Sequence, residues 1–170
     1  LVGAALGISG ALIQALTRNP LADPGILGVN AGASFFVLIA VGYFGMTSLQ
    51  SFIWFAFLGA ILTTVMVYIV GSSGRNGATP VTLTLAGVAV GAILGGVSTA
   101  LTLLNPTAFD RMRFWAAGAL SGGTYEAVTT VAPFIIVGLL LAAVMARPLN
   151  AVALGDDLAK SLGANIVRVR

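Results

Sequence analysis

The chain has 170 residues, 58% hydrophobic and only 8% charged, with a net charge of +3 and a mean hydropathy of +1.05. A soluble domain carries about 25% charged residues, so the composition excludes one and places the chain in a membrane. With neither Cys nor His, disulfides, thiolate metal sites and the commonest general base are excluded, and the small positive charge sits in loops, as a topology signal rather than a nucleic-acid surface.

Residues 1–17 read as the end of an apolar span begun upstream, because the sequence opens at Leu1 inside an apolar run with no Met and no basic segment before it. The other end, Arg168-Val169-Arg170, closes without a polar tail, and the chain reads as a piece of a longer protein rather than one led by a signal peptide. Gly3, Gly7 and Gly10 give the first span a close-packing face. Gly7-Ile8-Ser9-Gly10 also matches the G-x-S-G around the serine of intramembrane rhomboid proteases, but the His partner such a nucleophile needs is missing, which favours packing over catalysis.

Arg18 to Gly25 is a polar connector whose two prolines forbid a continuous helix. A second span is expected over 26–46, with Gly28 and Gly32 one turn apart and Asn30 between them, then a tight uncharged turn at 47–50 and a third span over 51–71. The loop 72–80 holds one charge, Arg75. The fourth span, 81–104, carries Gly87, Gly91 and Gly95 in a double G-x-x-x-G, a ridge suited to close contact with a helix of the same or another subunit. Each span is expected to run about 20 residues or more, enough to cross the hydrocarbon core. Residues 105–126 hold Asp110, Arg111, Arg113 and Glu126 among aromatic residues, and predict a short surface helix over about 107–120 ended by Ser121-Gly122-Gly123. A fifth span covers 127–146, with Pro133 near its start.

The polar stretch 147–170 is different in kind. Pro148 suits a first helical turn, Gly155 a left-handed stop, and Asp156 the cap of a second helix that Gly163 ends. Leu154, Leu158 and Leu162 fall on one face, with Asp156, Asp157, Lys160 and Ser161 mostly elsewhere. Such a helix pair either docks a partner or lies on lipid headgroups.

Alternation of the spans gathers Arg18, Arg75, Arg147, Lys160, Arg168 and Arg170 on one side and leaves Arg111 and Arg113 on the other, so the first side is cytoplasmic and the aromatic surface helix external. No Asp, Glu, Lys, Arg or His lies inside the five expected spans, which disfavours an ion-coupled carrier, although Gln14, Asn30 and the threonines offer oxygens to Na⁺. No phosphate-binding G-x-x-x-x-G-K-[ST] loop is present. An engine docked from outside fits these absences.

Thr17-Arg18-Asn19-Pro20-Leu21-Ala22-Asp23-Pro24-Gly25-Ile26-Leu27-Gly28-Val29-Asn30-Ala31-Gly32-Ala33 resembles the signature of the FecCD family, ABC-importer permeases for ferric siderophores, haem and vitamin B12. So do Thr84-Leu85-Ala86-Gly87-Val88-Ala89, Arg113-Phe114-Trp115-Ala116-Ala117-Gly118-Ala119-Leu120 and Leu149-Asn150-Ala151-Val152-Ala153-Leu154-Gly155-Asp156. The resemblance runs through the whole chain in order. Gly28 to Phe35, and Leu103-Leu104-Asn105-Pro106 with Arg113-Phe114-Trp115, are most similar to the ferric-enterobactin branch.

The resemblance implies an all-α, BtuC-like polytopic helical bundle of about ten helices, of which this piece holds the second to sixth. It implies a dimer of like or similar permease subunits in a bacterial inner membrane, two ATPase subunits that hold ATP and Mg²⁺, and an external substrate-binding protein. The chain itself is then no enzyme and binds no cofactor, metal or nucleic acid. The coupling helices would comprise Arg147, Pro148, Leu149, Asn150, Leu154, Gly155, Asp156, Leu158, Ala159, Leu162 and Gly163. The cytoplasmic signature loop would be Arg18, Asn19, Pro20, Leu21, Asp23, Pro24 and Gly25. Helix packing falls to Gly28, Gly32, Gly87, Gly91 and Gly95. The translocation path or gate falls to Ser98, Thr99, Thr102, Asn105, Arg113, Phe114 and Trp115. The family's Arg-Leu-Pro-Arg pattern, which receives the binding protein, would lie upstream of Leu1, and the last four helices are missing, so this piece alone is not expected to transport.

Overall fold

A computed structural model describes residues 1–74, 77–118, 123–153 and 155, with backbone alone at 107, 109, 111, 114–116 and 152. The elements are α1 (Val2–Thr17), a 3-10 turn (Pro24–Leu27), α2 (Val29–Gly42), α3 (Leu49–Ser72), α4 (Pro80–Leu104), α5 (Pro106–Ala117) and α6 (Tyr125–Ala153), with no strand among the described residues. Two compact units emerge. One is Gly25–Ala127; the other joins Leu1–Pro24 to Val128–Arg170.

Among the described residues three helices are long and apolar enough to cross a membrane: Leu49–Ser72, Pro80–Leu104 and Tyr125–Ala151. Their start points have local causes. Ser48 accepts from the Ser51 N–H to cap α3. Thr79 and Thr82 form a reciprocal capping box with Pro80 at the first position of α4, where its missing N–H costs nothing.

Two sequence expectations are corrected. The second span, expected over 26–46, is a helix of only 14 residues, about 21 Å long and short of the roughly 30 Å hydrocarbon core. Hydropathy predicts continuity there, but backbone conformation ends it. Gly28 is left-handed at φ 73° on the N-terminal side. On the other side the Phe44 N–H returns to the Ile39 carbonyl, the Met46 N–H to Ala40, and Gly45 takes φ 65°. The second correction concerns the expected break after Ala146. α6 runs through Pro133 and Pro148 to Ala153. Pro148 therefore sits in the closing turns of a helix rather than opening one. It removes a single i→i−4 bond there, close to an end where backbone groups are unpaired in any case.

In the unit Gly25–Ala127, α2, α3 and α4 pack by backbone contact. A Cβ on Gly32 would fall on the Thr63 hydroxyl and the Gly59 carbonyl, and one on Gly59 would fall on the Gly32 carbonyl. A Cβ on Gly87 would overlap the Ile26 carbonyl, and one on Gly71 would sit 2.9 Å from Leu83. Around these contacts lie Val67, Ala86 and Val90, flanked by Leu27 and Leu94. Val37 and Leu38 are fully enclosed. By contrast Leu85, Ile93 and Leu140 are each more than 60% exposed, as suits side chains meeting lipid. The expected glycine ridge of α4 is used unevenly within this chain. Gly91 meets only the Ala31 Cβ, at 3.9 Å, and Gly95 meets nothing within 4 Å.

This unevenness is testable by alanine substitution in the full-length protein. Gly59→Ala and Gly87→Ala are each expected to lower stability by about 1–3 kcal/mol through overpacking. Gly95→Ala should shift it by less than about 0.5 kcal/mol. Unfolding in detergent mixtures measures all three, and equal shifts would refute the assignment.

Candidate functional site

The polar connector after α1 has a defined shape. Arg18 closes α1 in the left-handed region (φ 53°, ψ 35°), the one non-glycine with positive φ among the described residues. The Asn19 N–H donates to the Gln14 carbonyl at 3.2 Å and the Ala22 N–H to the Asn19 carbonyl at 3.1 Å. The Asn19 Oδ1 accepts from the Leu21 N–H at 2.9 Å, an Asx-type turn that folds the chain over Pro20. Arg18, Asn19, Pro20, Leu21 and Asp23 are exposed, and Ala22 is buried. From Pro24 the 3-10 turn leads to Gly28, whose N–H donates to the Gly25 carbonyl at 2.9 Å.

A second polar cluster joins α4 to α5. Thr99 and Thr102 donate to the carbonyls of Gly95 and Ser98 at 2.9 and 2.7 Å, so their hydroxyls are engaged along their own helix. Asn105 bridges three elements. Pro106 favours the extended conformation that Asn105 adopts (φ −128°, ψ 100°). Its Nδ2 donates to the Gly42 carbonyl at the end of α2 (3.0 Å) and its Oδ1 accepts from the Ala108 N–H in the first turn of α5 (3.1 Å). Ala108 is fully buried, and its Cβ lies 3.1 Å from where a Cβ on Gly42 would be. Arg113 stands one turn from Asp110, 3.7 Å apart on an exposed surface, a pairing of small energetic weight. The side chains of Phe114 and Trp115 lie outside the described residues. Ser98, Thr99, Thr102 and Asn105 thus lie on or at the end of α4, whereas Arg113 lies two turns into α5.

The third group is on α6 and beyond. Arg147 and Asn150 are exposed while Leu149 is buried, all in the closing turns of the helix that also holds Pro148. Gly155 follows with φ 119°, a region that glycine occupies without strain. Leu154, Asp156, Leu158, Ala159, Leu162 and Gly163 lie outside the described residues.

Ser9 donates to the Leu6 carbonyl of its own helix at 3.0 Å. That bond is local to α1 and brings no second catalytic group to the hydroxyl. No group of three or more His, Asp or Glu poised for a metal ion occurs among the described residues. Sequence reasoning missed Gly59, Gly71, Gly42 and Thr63. The available signal was a lone small residue in an otherwise bulky apolar run, as at Gly59 and Gly71 in α3.

A family model described as the FecCD transport family matches residues 1–170. The chain is 44% identical over 170 residues to the ferric enterobactin transport system permease protein FepD of Escherichia coli K12, covering 100% of this chain and 51% of that protein. It is 44% identical over 169 residues to the Fe(3+)-citrate import system permease protein YfmD of Bacillus subtilis 168, covering 99% and 50%. It is 35% identical over 175 residues to the cobalamin import system permease protein BtuC of Halobacterium salinarum, covering 99% and 45%. A solved structure of a metal-chelate type ABC transporter in an inward-facing conformation superposes with a TM-score of 0.82 at 26% identity, over 99% of this chain and 53% of that one. The chain therefore spans about half the length of the curated relatives it matches. Those relatives are named as transport permeases, not enzymes. A chain whose described residues fold as helices without a strand, three of them long and apolar enough to cross a membrane, around a glycine-packed core, and that matches the family model from first residue to last, belongs to the FecCD transport family.

Proposed function

We propose that the protein containing this chain is the permease of an ABC importer that carries a metal chelate inward, with a ferric siderophore as the substrate. The carrying observation is the full-length family match together with the 0.82 superposition on a metal-chelate type ABC transporter. The relatives named for ferric enterobactin and Fe(3+)-citrate favour iron over the cobalamin named for a more distant one. The permease works in a bacterial cytoplasmic membrane, paired with a second permease subunit. ATP and Mg²⁺ are held by separate ATPase subunits, and an external binding protein delivers the cargo.

The chain's chemistry supports this division. Its apolar helices α1 to α4 contain no Asp, Glu, Lys, Arg or His, the residue types that ordinarily couple a proton gradient at depth. Energy enters instead through the stretch from Arg147 to Gly163. Leu154, Leu158 and Leu162 recur at helical spacing and form the face that seats in the ATPase. Arg147 and Asn150, exposed at the end of α6, join that surface. Arg18, Arg75 and Arg147 hold this side in the cytoplasm.

Two experiments in the full-length protein test the reading. Leu158→Asp removes an apolar contact that contributes roughly 1.5–3 kcal/mol and buries a carboxylate at further cost. It should weaken ATPase binding by on the order of a hundredfold or more. Membrane insertion and capture of the loaded binding protein should survive, while ATPase co-purification and ATP-dependent uptake are lost. Lys160→Ala should be milder. Retained ATPase binding and uptake in Leu158→Asp would make the stretch a lipid-surface helix. For the topology, single cysteines replace Ser73 and Thr107 in a background otherwise free of Cys. An impermeant thiol reagent on intact cells should label position 107 and spare 73. The opposite pattern reverses the orientation.

A further inference from the structure

We infer that the outer face of α3, the stripe of Trp54, Leu58, Ile61, Val65 and Tyr68, is a lipid-contact surface on the perimeter of the assembled transporter and seats no further helix. The chain spans about half the length of its relatives, so an exposed face of this unit meets either a further protein segment or the bilayer. For α3 the residue types decide between the two. The inference depends on membrane placement alone, not on the substrate or on which side is cytoplasmic.

α3 has 24 residues, about 36 Å, and crosses the roughly 30 Å hydrocarbon core. Its buried residues are Ile53, Gly59, Thr63, Val67 and Gly71, which share one side of the helix. Trp54, Leu58, Ile61, Val65 and Tyr68 follow one another at steps of four and three residues, so they lie along the opposite side, and all are exposed. The small residues separate completely. Between Trp54 and Tyr68, Ala56, Gly59, Ala60, Thr63 and Thr64 all fall on the packed side, each buried or half-buried. The Thr64 hydroxyl donates to the Ala60 carbonyl of its own helix at 2.8 Å. In lipid, helices associate through small residues that let backbones approach and through polar groups that bond across. The stripe offers neither. On α4, by contrast, the exposed residues include Gly95, Gly96 and Thr99.

The stripe also matches the bilayer in depth. Its middle is aliphatic and its ends are Trp54 and Tyr68, about 21 Å apart along the axis. Each end lies within about one turn of the hydrocarbon boundary, where amphipathic aromatic rings collect on both sides of a membrane. The Trp54 end is the broader belt. Trp54 meets Phe57 edge to face, with ring centroids 6.4 Å apart. Phe44, exposed just past the close of α2, meets Phe55 at 5.8 Å. Packing against another helix requires no such aromatic ends at headgroup level, whereas a face turned to lipid does well with them.

Spin labels on single cysteines test the stripe in the full-length protein, with any other cysteine removed, assembled with its partner subunits in phosphatidylcholine bilayers. Molecular oxygen is apolar and collects in hydrocarbon, whereas a polar nickel chelate stays in water. Labels at Leu58→Cys, Ile61→Cys and Val65→Cys should collide often with oxygen and rarely with the chelate. The oxygen-to-nickel ratio should peak at 61 and fall towards labels at Trp54→Cys and Tyr68→Cys. A label at Ala56→Cys, on the packed side, should meet little of either. Oxygen collisions at 58, 61 and 65 as rare as at 56 would place protein over the stripe and overturn the inference. Frequent chelate collisions at 61 would make the face water-lined and overturn it equally. A ratio that climbs from one end to the other without a central peak overturns the placement of the aromatic ends. Where Ile61→Cys does not assemble, Leu58→Cys and Val65→Cys carry the same comparison.

Discussion

Backbone lying on backbone is the constraint from which the unit Gly25–Ala127 is built. Gly32 of α2 and Gly59 of α3 each occupy the space the other's side chain would need, with the Thr63 hydroxyl in the same gap. Gly87 of α4 receives the Ile26 carbonyl in the same manner. In lipid, apolar side chains gain little by leaving one hydrocarbon for another, so helices associate through close van der Waals packing and polar contacts. Many large side chains of α3 and α4, Trp54, Ile61, Leu85 and Ile93 among them, are accordingly exposed, and the small residues set the geometry of contact. Removing the glycines would separate the helices without changing their hydropathy.

That packing also determines where the chain stops being helical. Ile26 has to lie flat over Gly87, and Gly28 turns left-handed to bring α2 alongside α3. The signature connector is thereby joined, through one 3-10 turn, to the most tightly packed point of the unit. At the opposite end Asn105 ties the close of α2 to the start of α5 with both polar atoms of one carboxamide. α5 is consequently held at its first turn to α2 as well as to α4.

The functional residues divide by what surrounds them. On α4 the Thr99 and Thr102 hydroxyls are engaged along their own helix. The groups with exposed charge are at the ends: Arg18 and Asp23 in the connector, Asp110 and Arg113 on α5, Arg147 at the close of α6.

Composition alone determined the class, because a chain this apolar cannot stay soluble, and the long apolar runs marked α3, α4 and most of α6. The polar connector, the short helix after α4 and the family resemblance were legible too, since each rests on residue types in fixed order. Periodicity misjudged the ends of elements. The run 26–46 is apolar throughout, yet two glycines at positive φ, Gly28 and Gly45, bracket a 14-residue helix. The prolines at 133 and 148 do not interrupt α6. Sequence also marked Gly87, Gly91 and Gly95 alike; only the tertiary structure distinguished them, because another segment's backbone reaches the first and not the last. It likewise gave Asn105 its partner sixty-three positions away. A local pattern records what a residue can tolerate, whereas its role depends on which distant segment the packed helices bring against it.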